Sequence, residues 1–188
     1  MKHIGIISDT HGLLRQQAIE AMQGVDLIIH AGDVGALSIL EDLRAIAPVE
    51  AVRGNTDTQS WAFGLKKSVI VDYAGTLFFV IHDISEIDLD PAVAGIKVVV
   101  HGHSHRSSIR EENGVLFINP GSAGPIRFSL PRHPCATANC GEREDNGGNY
   151  QSCQIGESVN CPVCETSSFP SKILTGDLQA LACGSFRD

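Results

Sequence analysis

Lys2-His3-Ile4-Gly5-Ile6-Ile7-Ser8-Asp9-Thr10-His11 is an apolar run that stops abruptly on a carboxylate and an imidazole. The run is too short for a core helix and reads as a buried strand. Asp9 and His11, spaced i and i+2, can both turn toward one site as the chain leaves the sheet. The same ending recurs along the chain. Leu27–Ala31 runs into Gly32-Asp33, and Val49–Val52 into Arg53-Gly54-Asn55. Leu77–His82 ends on an imidazole, and Val98–His101 leads into Gly102-His103-Ser104-His105.

Between the first strands, Arg15–Gln23 and Ala36–Ile46 carry helical spacing, with Ala18 and Met22 in one and Leu37, Leu40, Leu43 and Ala47 in the next. Strand and helix alternating over this stretch predict βαβ units and a largely parallel sheet. Further strands are expected at Val69–Tyr73 and Val115–Ile118. Tyr73-Ala74-Gly75-Thr76 and Glu111-Glu112-Asn113-Gly114 read as hairpin turns, which predicts a mixed or second sheet packed on the first. The fold class is therefore α/β with mixed sheets.

Composition sets the outer bounds. The 188 residues suffice for one domain with a core, and the content is 43% apolar and 19% charged. No apolar stretch approaches the roughly 18–20 residues of a membrane span. A strand begins at once, without a basic and then apolar leader, so the cytoplasm is the simplest placement and no membrane partner is expected. The net charge of −8 argues against a duplex nucleic acid partner. A small phosphorylated substrate stays compatible, because bound cations can reverse the local field. Homo-oligomerisation is left open.

Each donor taken alone has an ordinary explanation: Asp-x-His as a loop cap, Gly-Asn as a turn, a single His as a core residue. Their ordered recurrence at the ends of buried strands is what points to metal. Imidazole, carboxylate and carboxamide together suit Mn²⁺, Fe²⁺, Co²⁺, Ni²⁺ or Zn²⁺. The lack of cysteine among these donors argues against a structural zinc site there. Asp33 is placed to bridge two cations, and such a pair, about 3.5–4 Å apart, would clamp a phosphoryl group for in-line attack.

In order and in strand context, Asp9-x-His11, Gly32-Asp33, Gly54-Asn55-x-Asp57, His82 and Gly102-His103-x-His105 resemble the signature of the calcineurin-like metallophosphoesterases. Asn119-Pro120-Gly121-Ser122 is similar to the segment that follows in the small YfcE-like phosphodiesterase branch. The resemblance spans residues 1 to about 131. It implies a four-layer αββα sandwich and a dinuclear site with two divalent metal ions, Mn²⁺ foremost. Asp9, His11, Asp33 and His105 would hold one ion, and Asp33, Asn55, His82 and His103 the other. Asp33, Asn55 and His103 would also take part directly in catalysis. The implied activity is hydrolysis of a small phosphate diester by a hydroxide held between the metals. Asp57 and His101 would support the ligands from behind, and Arg53 and Arg127 are candidates for contacting substrate phosphate. Alternatives are a phosphomonoesterase and a protein-interaction scaffold of similar fold, as in the small subunit of the retromer coat.

Three departures from the family pattern matter. Thr56 stands where many members carry a leaving-group histidine, as it does in the YfcE-like branch, and a hydroxyl cannot act as a general acid near neutrality. Asp83 follows His82 where glycine is usual, adding negative charge beside the site, and the short Ile84–Pro91 segment leaves little room for a cap. The third departure is residues 132–188, which hold all six cysteines and little apolar periodicity. Composition predicts a loop-rich or poorly ordered tail. Codons for Arg132–Cys140 read one nucleotide later can give Val-Thr-Leu-Ala-Arg-Leu, a strand-like peptide, so a frameshift near residue 131 is one expectation. A zinc module using Cys161-Pro-Val-Cys164 and Cys135-x4-Cys140 is the rival.

Overall fold

The computed structural model describes residues 2–125, together with the strand segments 137–141, 152–156 and 180–182. Strands β1 (Lys2–Ile7), β2 (Leu27–His30) and β3 (Val49–Ala51) run parallel, linked by helices α1 (Gln16–Ala21) and α2 (Leu37–Arg44). The chain then makes β4 (Ser68–Tyr73), β5 (Thr76–Ile81), β6 (Val98–Val100), β7 (Ser108–Glu112) and β8 (Val115–Asn119). These form a second sheet in the order β4-β5-β6-β8-β7, with antiparallel hairpins at both edges around a parallel centre. Both predicted turns close hairpins. Ala74 and Gly75, and likewise Asn113 and Gly114, have positive φ, as tight hairpin loops require.

Period-two alternation decides what each strand face touches. Ile4, Ile6, Leu27 and Ile29 point into the gap between the sheets, against Phe78, Val80, Val98, Val100 and Ile118. Ile7 and Ile28 point the other way, onto Ala18, Met22, Leu40 and Leu43 of the helical layer. Neither helix has a side-chain cap at its N-terminus. Both are short, so burial of one face rather than intrinsic propensity holds them. The outer face of the second sheet, with Phe79, Val99 and Phe117, is covered by Ile84, Ile87 and Leu89. Among the described residues this fourth layer is a 3-10 turn, Ile84–Glu86, and its flanking loop, consistent with the short segment there.

A turn after β3, strand β7 and the three strands after residue 136 are without counterparts among the predicted elements. Strand β7 is exposed along its whole length, so it lacks the apolar alternation that betrays a strand, and its Arg and Glu residues guard a sheet edge. A 3-10 turn over Ser60–Gly64 follows β3.

The predicted boundary at residue 131 lies outside the described residues, as does Arg127. Beyond it, strand β9 (Thr137–Gly141) pairs antiparallel with β1, and β10 (Ser152–Gly156) pairs with β9. Strand β11 (Ala180–Ala182) runs parallel to β1. Cys135, Cys161 and Cys164 of the supposed zinc module also fall outside the described residues. None of the described helices is long and apolar enough to cross a membrane.

Candidate metal centre

Parallel strands deliver their C-terminal ends to one edge, and that edge is where open α/β sheets place their sites. The loops after β1, β2, β3, β5 and β6 meet there. Four donors converge most closely: oxygen or nitrogen atoms of Asp9, His11, Asp33 and His105 lie within 4.8 Å of one another. His11 Nε2 is 3.2 Å from His105 Nε2 and 3.7 Å from Asp33 Oδ2. His105 Nε2 is 3.3 Å from Asp9 Oδ1. That Oδ1 atom is buried with no hydrogen-bond partner. A desolvated carboxylate oxygen facing two imidazoles is costly unless a cation occupies the space between them.

A second group adjoins the first through Asp33. Asn55 Oδ1 lies 3.0 Å from His82 Nε2 and 3.1 Å from His103 Nδ1, and His82 Nε2 is 3.5 Å from Asp33 Oδ2. His82 Nδ1 donates to the Ala31 carbonyl at 2.8 Å. That bond occupies Nδ1, so Nε2 is the nitrogen that faces Asn55 and Asp33 and would bind a metal once it gives up its proton. Burial opposes protonation of His82, yet the Asp33 and Asp9 carboxylates and the Ala31 carbonyl raise its pKa to about 8. Burial likewise opposes ionisation of Asp33, but His82 and the Thr56 N–H hold its pKa well below the usual carboxylate range. Thr56 N–H donates to Asp33 Oδ1 at 2.8 Å, which leaves Oδ2 toward the histidines.

The backbone is strained for this convergence. Seven non-glycine residues among those described have positive φ, and five of them are Asp9, His11, Asp33, His103 and His105. The other two, Ala74 and Asn113, are hairpin turns. Such conformations cost about 1–3 kcal/mol each and cluster where surrounding structure holds a site in place. Close approach also dictates glycine before Asp33 and before Asn55. Gly32 has φ +91°, and a Cβ there would strike His82; a Cβ on Gly54 would overlap Asp33.

Asp57 sits where the sequence places a supporting residue. It is 2% exposed, and its carboxylate accepts from Val34 N–H (3.1 Å), Gly35 N–H (2.8 Å) and Gly54 N–H (2.9 Å). It thereby ties the Asp33 loop to the Asn55 loop. His101 is buried beside Asn119 Nδ2 at 3.3 Å, not among the converged donors, and burial lowers its pKa. Asn119 also donates to Gly102 O and Ser104 Oγ, bracing the His103–His105 loop. Ser122 Oγ, at the end of the Asn-Pro-Gly-Ser segment, and Gly124 N–H just beyond it donate to Asp9 O and steady the Asp9-Thr10-His11 loop.

One residue escaped the sequence reading. His30, fully buried at the end of β2, accepts from Gly32 N–H at its Nδ1, so its Nε2 carries the proton toward Thr10 Oγ1 at 3.0 Å. Thr10 Oγ1 in turn donates to Val34 O. The neutral ring thus joins the Asp9-Thr10-His11 loop to the Gly32-Asp33 loop, and burial drives its pKa down to about 4. Inside an apolar strand it reads as a core histidine, and no spacing signal distinguishes it.

The calcineurin-like phosphoesterase superfamily domain matches residues 1–142. The chain belongs to that superfamily. Members depend on divalent metals, which agrees with the cluster of donors around Asp33. A protein of Methanothermobacter thermautotrophicus named a probable metallophosphoesterase is 31% identical over 140 residues, covering 68% of this chain and 81% of its own. A phosphodiesterase of Methanocaldococcus jannaschii is 32% identical over 146 residues, covering 68% of this chain and 88% of its own. Vps29 of Chaetomium thermophilum superposes with a TM-score of 0.61 at 17% identity, over 83% of this chain and 97% of its own. That last likeness shows the fold alone.

Proposed function

We propose that the chain is a dinuclear, metal-dependent phosphodiesterase acting on a small phosphate diester. The observation that carries this reading is Asp33, whose Oδ2 lies near both His11 and His82 and so belongs to both donor groups. Asp9, His11, Asp33 and His105 would hold one ion, and Asp33, Asn55, His82 and His103 the second. Bound there, two divalent cations would acidify an attacking water and offset the charge on the phosphoryl group; Mn²⁺ is the first choice, with Ni²⁺, Co²⁺, Fe²⁺ and Zn²⁺ as alternatives.

The chain's own residues supply orientation. His82 is fixed by Ala31 and Asp33 by Thr56, so ligand geometry exists before substrate arrives. Thr56 Oγ1, 3.5 Å from His11 Nδ1, offers a hydroxyl where a general acid would otherwise stand. The leaving alcohol must therefore depart largely unaided, and esters of acidic alcohols are the favoured substrates. Every proposed ligand lies before residue 106, so we take residues 1–131 as the functional domain; we propose the cytoplasm as its place of work.

A scaffold role, the alternative for a domain of this fold, would not require Asp9 Oδ1 to be buried without a hydrogen-bond partner. The test is hydrolysis of a diester carrying an aryl leaving group. Activity lost to a chelator, restored by Mn²⁺ and absent in Asp33→Ala supports the reading. Activity that survives both chelation and the substitution rejects it.

A further inference from the structure

A cleft of about 320 Å³ opens beside Asn55 and His82, on the side of the second donor group. Arg53, Phe63 and Lys67 contribute to its lining together with Asp83 and Glu86. Its size is that of a pocket for a small organic group. Phe63 is unusual in this setting. It is 67% exposed although it belongs to the 3-10 turn whose Ala62 is fully buried and whose Trp61 packs on the helical core. Just past the two elements, Arg53 N–H after β3 donates to Lys66 O after the turn at 2.8 Å. An anchored backbone therefore holds an aromatic ring out at the rim. The Arg53 guanidinium lies 5.6 Å from the ring centroid, within cation–π range.

The lining also carries two carboxylates. Asp83 Oδ1 accepts from both Ser85 N–H and Ser85 Oγ, which fixes the carboxylate, while Oδ2 lies 3.6 Å from His103 Nε2. Glu86 pairs with Lys67 at 3.8 Å. Each cation in the cleft thus has a neighbouring carboxylate or ring, so a second phosphate would find little uncompensated positive charge. A flat, uncharged group with an amine fits better: it can stack on Phe63 and Arg53 and donate to Asp83.

We propose that this cleft receives the nucleobase of a nucleoside phosphodiester, with Phe63 and Arg53 stacking on the base and Asp83 accepting from its exocyclic amine. The phosphodiester lies toward Asn55 and His82, and the nucleoside is the ester arm that occupies the cleft. This substrate class rests on the phosphodiesterase reading above. It also gives Asp83, where glycine is usual in the family, a role in selecting the arm.

The Mn²⁺-loaded full chain is assayed on p-nitrophenyl diesters whose second arm is methyl, uridine or cytidine. Base stacking of the usual strength predicts that kcat/KM for either nucleoside ester exceeds that for the methyl ester by about tenfold or more. Phe63→Ala should collapse that ratio through KM, whereas Ile70→Ala, an exposed change on β4 outside the cleft, should preserve it. Cytidine should be preferred over uridine, with the preference lost in Asp83→Asn. Equal kcat/KM for methyl and nucleoside esters, or a ratio unmoved by Phe63→Ala, overturns the inference while leaving the phosphodiesterase reading intact. Failure to hydrolyse any of the three esters overturns both.

Discussion

Replacing Asp57 by Asn changes one atom's chemistry at a buried junction and tests how the Asp33 and Asn55 loops are held together. In the native structure one carboxylate oxygen accepts from Val34 and Gly54 and the other from Gly35. A carboxamide has only one acceptor oxygen. Its better orientation keeps that oxygen on Val34 and Gly54 and turns the NH₂ against Gly35 N–H. One buried donor is then unsatisfied, at about 1–3 kcal/mol, and the two surviving bonds lose their charge assistance. The expected destabilisation is about 3 kcal/mol, a large share of the ~5–15 kcal/mol typical of a folded domain. For a chain of this size that corresponds to a fall in Tm of about 6–12 °C. Because the junction aims Asp33 and Asn55, metal affinity should also drop about 10–100-fold. Thermal unfolding in chelator reads the first effect, and Mn²⁺ titration of the still-folded variant reads the second. A Tm within about 3 °C of wild type, with unchanged Mn²⁺ affinity, would refute the reasoning.

His30 is neutral when folded, with a pKa near 4 against 6.5 unfolded. Its contribution is complete above pH 6.5 and is lost as pH falls from there toward 4, by about 3 kcal/mol in all. Urea unfolding of chelated protein should show this acid slope, and His30→Gln should flatten it; identical slopes would count against a buried neutral ring. His82 behaves oppositely, since a folded pKa of about 8 stabilises the metal-free protein below pH 6.5 and fades as pH rises through 8. A metal bound at Nε2 would displace that proton, so His82 by itself should weaken apparent affinity about tenfold per unit below pH 8, a dependence that His82→Gln should remove in calorimetry with paired buffers. Thr56→His should help most with esters of weakly acidic alcohols, up to about 10²-fold in kcat. The same gain for every leaving group would argue against missing acid catalysis at that position.

Much of this architecture was legible because short buried strands and their terminal donors are local features. The strands β1, β2, β3, β5 and β6 announced themselves as apolar runs, and parallel order then required their ends, and the donors on them, to meet. What escaped was non-local or unpatterned. His30 acts through bonds to Thr10 and Gly32 on separate loops, and nothing in Leu27–His30 marks it as more than core. Positive φ at Asp9, His11, Asp33, His103 and His105 was not legible: aspartate and histidine take it more often than most residues but still in a small minority of cases, and tertiary contacts decide which. Strand β7 was hidden by its exposure. The three strands after residue 136 come from a segment with little apolar rhythm to announce them. The proposed frameshift near residue 131 is settled by the coding DNA: a shifted frame without a strand-like peptide removes it.

The central claim is that Asp33 joins two cations. The most direct measurement is a crystal structure of the Mn²⁺-loaded protein with anomalous scattering at the manganese edge. The account predicts two peaks about 3.5–4 Å apart, one beside Asp9 and His105, one beside Asn55 and His82, with Asp33 between them. A single peak confined to the Asp9–His105 group, or none at either position, would contradict it.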